Sequence, residues 1–160
     1  MKNHTIAYTT ILFAAAWFLT LPQAQAINPP PDGCYSNFTT AEGCNALKAL
    51  TSGAGNTGIG AFALFQNTEA GSNTAVGAAA LALNNADSNT AVGATALLLN
   101  TTGAANTAVG RNALTNNDTG LGNNAVGAFA LLNNVGGFFN NAHGHNCLMN
   151  SDGHQNNAFG

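Results

Sequence analysis

SNTAVGAAALALNNADSNTAVGATALLLN, residues 72–100, contains the pentapeptide NTAVG twice, 16 residues apart. An Ala-Leu pair follows in the same phase each time, as Ala80-Leu81 and Ala96-Leu97. A fixed spacing with fixed chemistry is the mark of a repeat architecture, so the period has to be read before any local structure.

With Asn as the first position, units begin at Asn56, Asn73, Asn89, Asn106, Asn123, Asn140 and Asn156, in steps of 17, 16, 17, 17, 17 and 16 residues. A weaker unit precedes them, in which Thr39-Thr40-Ala41-Glu42-Gly43 leads to Ala46-Leu47. The fifth position is always Gly, and the ninth is Leu wherever the unit is long enough: Leu64, Leu81, Leu97, Leu114, Leu131 and Leu148. The fourth is apolar at Ile59, Val76, Val92, Val109, Val126 and Phe159, with His143 the exception. The twelfth is Asn from Asn67 to Asn134.

Helix is excluded by the punctuation. Gly at five, Asn at twelve and a further Gly near fifteen leave runs of about six residues, too short to offset helix nucleation. Disorder does not require Leu and Gly at guarded phases. A parallel β-coil satisfies both constraints: each unit makes one circuit and lands about 4.8 Å above its predecessor, so like residues stack. The expected fold is therefore all-β, a parallel β-roll or solenoid of about seven 16–17-residue coils over residues 39–160. Position four and the ninth-position Leu are expected as two inward core columns. The first-position Asn are expected as a corner ladder, bonding the Asn above and below. Phe65, Leu83, Leu98, Leu99 and Leu132, at positions ten and eleven, include both parities and cannot all point inward. The surplus is expected as an apolar stripe that marks an interface.

Upstream of the repeats, residues 1–26 read as a secretory signal peptide: Lys2, an apolar stretch from Ile6 to Leu21, then the small-x-small site Ala24-Gln25-Ala26. Residues 27–38 form a Pro-rich segment and cap. Export permits disulfides, and Cys34 with Cys44 is the expected local pair, leaving Cys147 over. The mature chain keeps only Lys48 and Arg111 as fixed cations. That excludes a phosphate-neutralising surface, so neither nucleic acid nor, after signal cleavage, an anionic membrane is an expected partner.

Chemistry is sparse. His143, His145 and Cys147 alternate along the sixth unit and His154 follows, a weak metal-like set; a decayed terminal repeat, with polar residues where the core runs out, is the preferred reading. Gly53-Ala54-Gly55-Asn56-Thr57-Gly58 fits G-x-G-x-x-G, but repeat phase accounts for its glycines. No catalytic constellation recurs in phase. The expectation is a non-enzyme without cofactors.

NTAVGxxAL, followed by Asn, Gly and NTAVG again, resembles the YadA-like head repeats of trimeric autotransporter adhesins, over residues 39–160. The resemblance implies a left-handed parallel β-roll packed as a homotrimer on a bacterial cell surface or secreted from it. Self-association, as that trimer or head to tail, and contact with a surface receptor or matrix ligand follow as expectations. The unit here is longer than the usual head repeat, and the sequence stops inside a motif at Asn157-Ala158-Phe159-Gly160. A truncated reading frame or a docking end is the corresponding expectation. The function expected is an exported structural or adhesive surface protein. The alternatives are a self-assembling extracellular filament subunit and an ice-binding solenoid, the latter suggested by the ladder Thr57, Thr74, Thr90 and Thr107.

Overall fold

The computed structural model describes residues 36–160. The expected signal peptide, most of the Pro-rich segment and Cys34 lie outside the described residues. Among the described residues no helix is long and apolar enough to cross a membrane.

After a short 3-10 turn at Ser36–Phe38, the chain forms eight strands of three residues: β1 Thr40–Glu42, β2 Thr57–Ile59, β3 Thr74–Val76, β4 Thr90–Val92, β5 Thr107–Val109, β6 Asn124–Val126, β7 Asn141–His143 and β8 Asn157–Phe159. They make one parallel sheet in chain order. The register pairs Thr57 with Thr74, Ala75 with Ala91 and Val92 with Val109, so each residue lies on its repeat equivalent. The architecture is a β-solenoid with one short strand per coil. The strand is short because only Thr-Ala-Val, with two β-branched residues, favours extended backbone before the glycine.

That glycine turns the corner. Gly110 has φ 137°, and a Cβ on it would lie 2.5 Å from the carbonyl oxygen of Gly127, one coil on. Left-handed backbone and close stacking together exclude any side chain there. Two tight turns follow, closed by Ala113 N–H to Gly110 O at 3.2 Å and Asn117 N–H to Leu114 O at 3.1 Å. Leu114 itself sits at φ 51°, as does every ninth-position Leu within two degrees. A leucine in this region costs about 1–2 kcal/mol. Full burial of its side chain, worth about 1.5–3 kcal/mol, offsets that cost and holds the turn.

The core corrects the sequence reading at position four. The fully buried column is the third position, Ala75, Ala91, Ala108, Ala125 and Ala142, together with the eighth-position Ala and the ninth-position Leu. Ile59, Val92 and Val109 are exposed, and Val76 and Val126 are half-buried. They alternate with the inward Ala and therefore face outward. The reason is width. At Gly58, which replaces Ala in β2, an added methyl would already lie 3.2 Å from Leu47 Cγ in the coil below. The Leu column fills the circuit, and the facing strand has room for a methyl group and nothing larger. Of the inward Leu, Leu64, Leu81, Leu97, Leu114 and Leu131 are fully buried, while Leu148 in the sixth unit is half-buried.

The rest of the interior is amide. Asn56, Asn73, Asn89, Asn106, Asn123 and Asn140 are buried rather than set on outer corners; Asn156 in the last coil is half-buried. Each Oδ1 accepts the backbone N–H of the next Asn in the column at 2.9–3.0 Å. The twelfth-position Asn form a second ladder beside it: Asn117 Nδ2 donates to Asn100 Oδ1 at 2.7 Å, and Asn134 Nδ2 to Asn117 Oδ1 at 2.8 Å. Both columns then share an acceptor, since Asn106 and Asn117 each donate to Gly120 O. Buried amides are tolerated because nearly every donor has a partner. Asn73 Nδ2 is the exception among the described residues.

Coils of 16 residues are built by a substitution of acceptors. In the 17-residue coils that start at Asn56, Asn106 and Asn123 the carbonyl at position thirteen collects the three N–H groups of positions thirteen to fifteen below it, as Val135 O does for Asp118, Thr119 and Gly120. The coils starting at Asn73 and Asn140 lack one residue in this loop and carry Asn85 and Asp152 at position thirteen. Their side chains take over: Asn85 Oδ1 accepts from Thr68 N–H, and Asp152 Oδ1 accepts from Val135, Gly136 and Gly137.

Candidate interaction face

With Ala pointing inward, positions two and four of every unit point outward on the same side of the sheet. One column runs Thr40, Thr57, Thr74, Thr90, Thr107, Asn124, Asn141 and Asn157; beside it runs Glu42, Ile59, Val76, Val92, Val109, Val126, His143 and Phe159. Rungs repeat at about 4.8 Å, and the two columns are about 7 Å apart within a strand. From Thr57 to Val126 neither column contains a charged residue. The buried Asn ladders behind the sheet hold it in register, so the face is a fixed array of hydroxyl and methyl groups.

Its composition changes at the last rungs. Asn124 Nδ2 donates to Asn141 Oδ1 at 3.1 Å and lies 3.2 Å from His143 Nε2. The His143 ring stacks on Phe159, with centroids 5.2 Å apart. His143 is thus a polar group set into the apolar column and held from two sides.

The four metal-like residues do not converge. His143 faces outward on the sheet. Cys147 is buried and occupies the eighth-position Ala column, where a small apolar side chain is required. His145 packs edge-on to Phe129, with Nδ1 3.2 Å from Ala128 O. His154 stacks on Phe138 at 3.8 Å, and its Nδ1 accepts the Phe138 N–H. Among the described residues no group of three or more His, Cys, Asp and Glu comes together. Cys44 is exposed at the first coil, and its expected pairing with Cys34 falls outside the described residues.

The stripe at positions ten and eleven lies elsewhere on the coil. Phe65, Leu83, Leu98 and Leu132 are half-buried and Leu99 is exposed. Lys48 lies 5.9 Å from the Phe65 centroid on this stripe, whereas Arg111 lies 4.6 Å from that of Phe129, at positions six and seven. This face is irregular from coil to coil, unlike the Thr/Val face.

The regular face is the feature that sequence reasoning misplaced, and a signal for it exists in the chain. Position three is Ala or Gly in every unit, whereas position four admits Glu42, His143 and Phe159. Tolerance of charge and bulk belongs to a surface, and uniform smallness to a filled interior. Comparison with known proteins finds no matching family model, no matching curated protein and no matching solved structure.

Proposed function

We propose that this chain is the β-roll of an exported structural or adhesive surface protein, and that three copies pack through the Thr/Val face into one rod. The observation that carries the proposal is the outward fourth-position column, neutral from Ile59 to Val126 and repeated at a single rung spacing. Around a threefold axis parallel to the coil axis each rung of one copy lies level with the same rung of the other two, and a neutral face meets its copies without burying an unpaired charge. The core supports the same reading: Ala, Ala and Leu are a thin apolar complement per circuit, and covering an outer face adds apolar burial to each chain. The similarity of NTAVGxxAL to YadA-like head repeats points to a trimer of this kind on a bacterial surface. Export rests on residues 1–26. In such a rod the stripe at positions ten and eleven is left for a receptor or matrix ligand.

Sedimentation equilibrium of the mature chain, paired with a binding assay on matrix-coated surfaces, tests the proposal. A trimer that binds is expected. A stable monomer without surface binding contradicts it.

Ice binding is the second reading, and the outward Val column favours it. Thr57, Thr74, Thr90 and Thr107 have a column of Ile and Val methyl groups beside them on the same outward face, so the ladder is two columns wide. The two readings compete for one surface. Thermal hysteresis in the soluble chain would select ice binding, and its absence removes that reading.

A further inference from the structure

The outward fourth-position column is apolar except at Glu42 in the first coil and at His143. If this column is the contact between copies, each His143 meets its own equivalents across the interface, between the Val126 and Phe159 rungs. We infer that His143 from the three copies forms one imidazole-lined site for a late first-row divalent cation such as zinc. This inference rests on the three-copy reading above.

The placement carries the chemistry. Three neutral imidazoles and a water complete a tetrahedral zinc sphere, and softer or borderline cations favour nitrogen donors of this kind. One chain supplies only one ligand, since His145 and His154 hold other contacts on other parts of the coil. The site is incomplete without the partner copies. The ring is also oriented in advance. Phe159 stacks on it, and the Asn124 amide lies 3.2 Å from Nε2; with the Asn124 and Asn141 amides both turned over, Asn124 Oδ1 accepts from Asn141 Nδ2 and from an Nε2–H, while Nδ1 takes the metal. Such an outer partner fixes the tautomer, as metal-bound imidazoles generally require.

A further reason is cost. Three imidazoles enclosed in an apolar contact without a partner would each leave a ring nitrogen unsatisfied. A shared cation satisfies all three at once. It would also hold the three chains in one rotational setting at that rung.

The test is zinc content of the mature chain after dialysis against zinc chloride, with sedimentation equilibrium on the same samples. About one zinc per three chains is expected. His143→Val should abolish that zinc and leave the trimer, because Val is the residue at the same phase in β3 to β6. The double variant His145→Asn with His154→Asn should retain it. A trimer that takes up no zinc, or zinc that survives His143→Val, overturns the metal site and leaves the three-copy reading standing. A chain that stays monomeric with and without zinc overturns both.

Discussion

The backbone N–H of Asn106 donates to Oδ1 of Asn89, one coil below, at 2.9 Å, and neither residue is exposed to solvent. The same bond recurs along the column, so each Asn side chain does for the next coil what a strand carbonyl does in a sheet. The Asn106 side chain also receives the N–H of Asn123 and donates to Gly120 O. Replacing Asn106 with Leu keeps its backbone bond to Asn89 but removes these two, leaving the Asn123 N–H and the Gly120 carbonyl short of a buried partner. Each unsatisfied group costs about 1–3 kcal/mol, so a loss of several kcal/mol is expected. Urea unfolding should show a lower midpoint for Asn106→Leu, whereas an unchanged midpoint would mean the ladder contributes nothing to stability.

Glycines in the same chain should respond in opposite directions. Gly110 combines φ 137° with a backbone oxygen 2.5 Å from an added Cβ, so Gly110→Ala should distort the corner and lower the melting temperature sharply. At Gly136 the nearest atom to an added Cβ is Thr119 Oγ1 at 3.4 Å, and φ is not left-handed. Gly136→Ala should be neutral or stabilise by up to about 1 kcal/mol through the unfolded chain. Thermal melts of the two variants give the comparison directly.

Asp152 supplies the acceptor that a shortened coil lacks. The Gly136 N–H bonded to its carboxylate, with Val135, Gly137 and the nearby His154, holds its pKa below the ordinary carboxylate value against a smaller opposing effect of desolvation. A depressed folded-state pKa contributes stability above the unfolded pKa, and that contribution is lost as pH falls through the folded one. The amide resonances of Val135, Gly136 and Gly137 should therefore move together at a pH below the usual carboxylate range. In Asp152→Asn they should not titrate there. If the wild-type amides hold still through that range, the carboxylate is not their partner.

How much of this was legible in the sequence depended on which residues carry a constraint that only one type can meet. Gly at position five has no substitute, so the corner and the period were readable from Gly60 to Gly160. The Leu column was readable because one large residue per circuit must go inside. Position four was misread because a β-branched residue in a strand suggests a core, yet the coil is too narrow for Val opposite Leu. Leu47 against Gly58 shows this at 3.2 Å. The burial of the Asn column was masked by the general preference of Asn for turns. Its true role depends on each amide reaching two coils, which no single unit displays. The spacing of His143, His145 and Cys147 would set the three on one side only on extended backbone, and the glycine bend at Gly144, with φ 136°, sends Cys147 inward.

The central claim is that position three faces the core and position four faces a partner copy. Substituting neighbours in β4 tests both halves. Ala91→Val should lower the unfolding free energy by about 1–3 kcal/mol through overpacking beside Leu81 and Leu97. Val92→Lys should leave the coil folded, with unchanged circular dichroism, but shift the sedimentation mass from trimer to monomer. A Val92→Lys chain that unfolds, or one that sediments as the wild type does, would contradict the account.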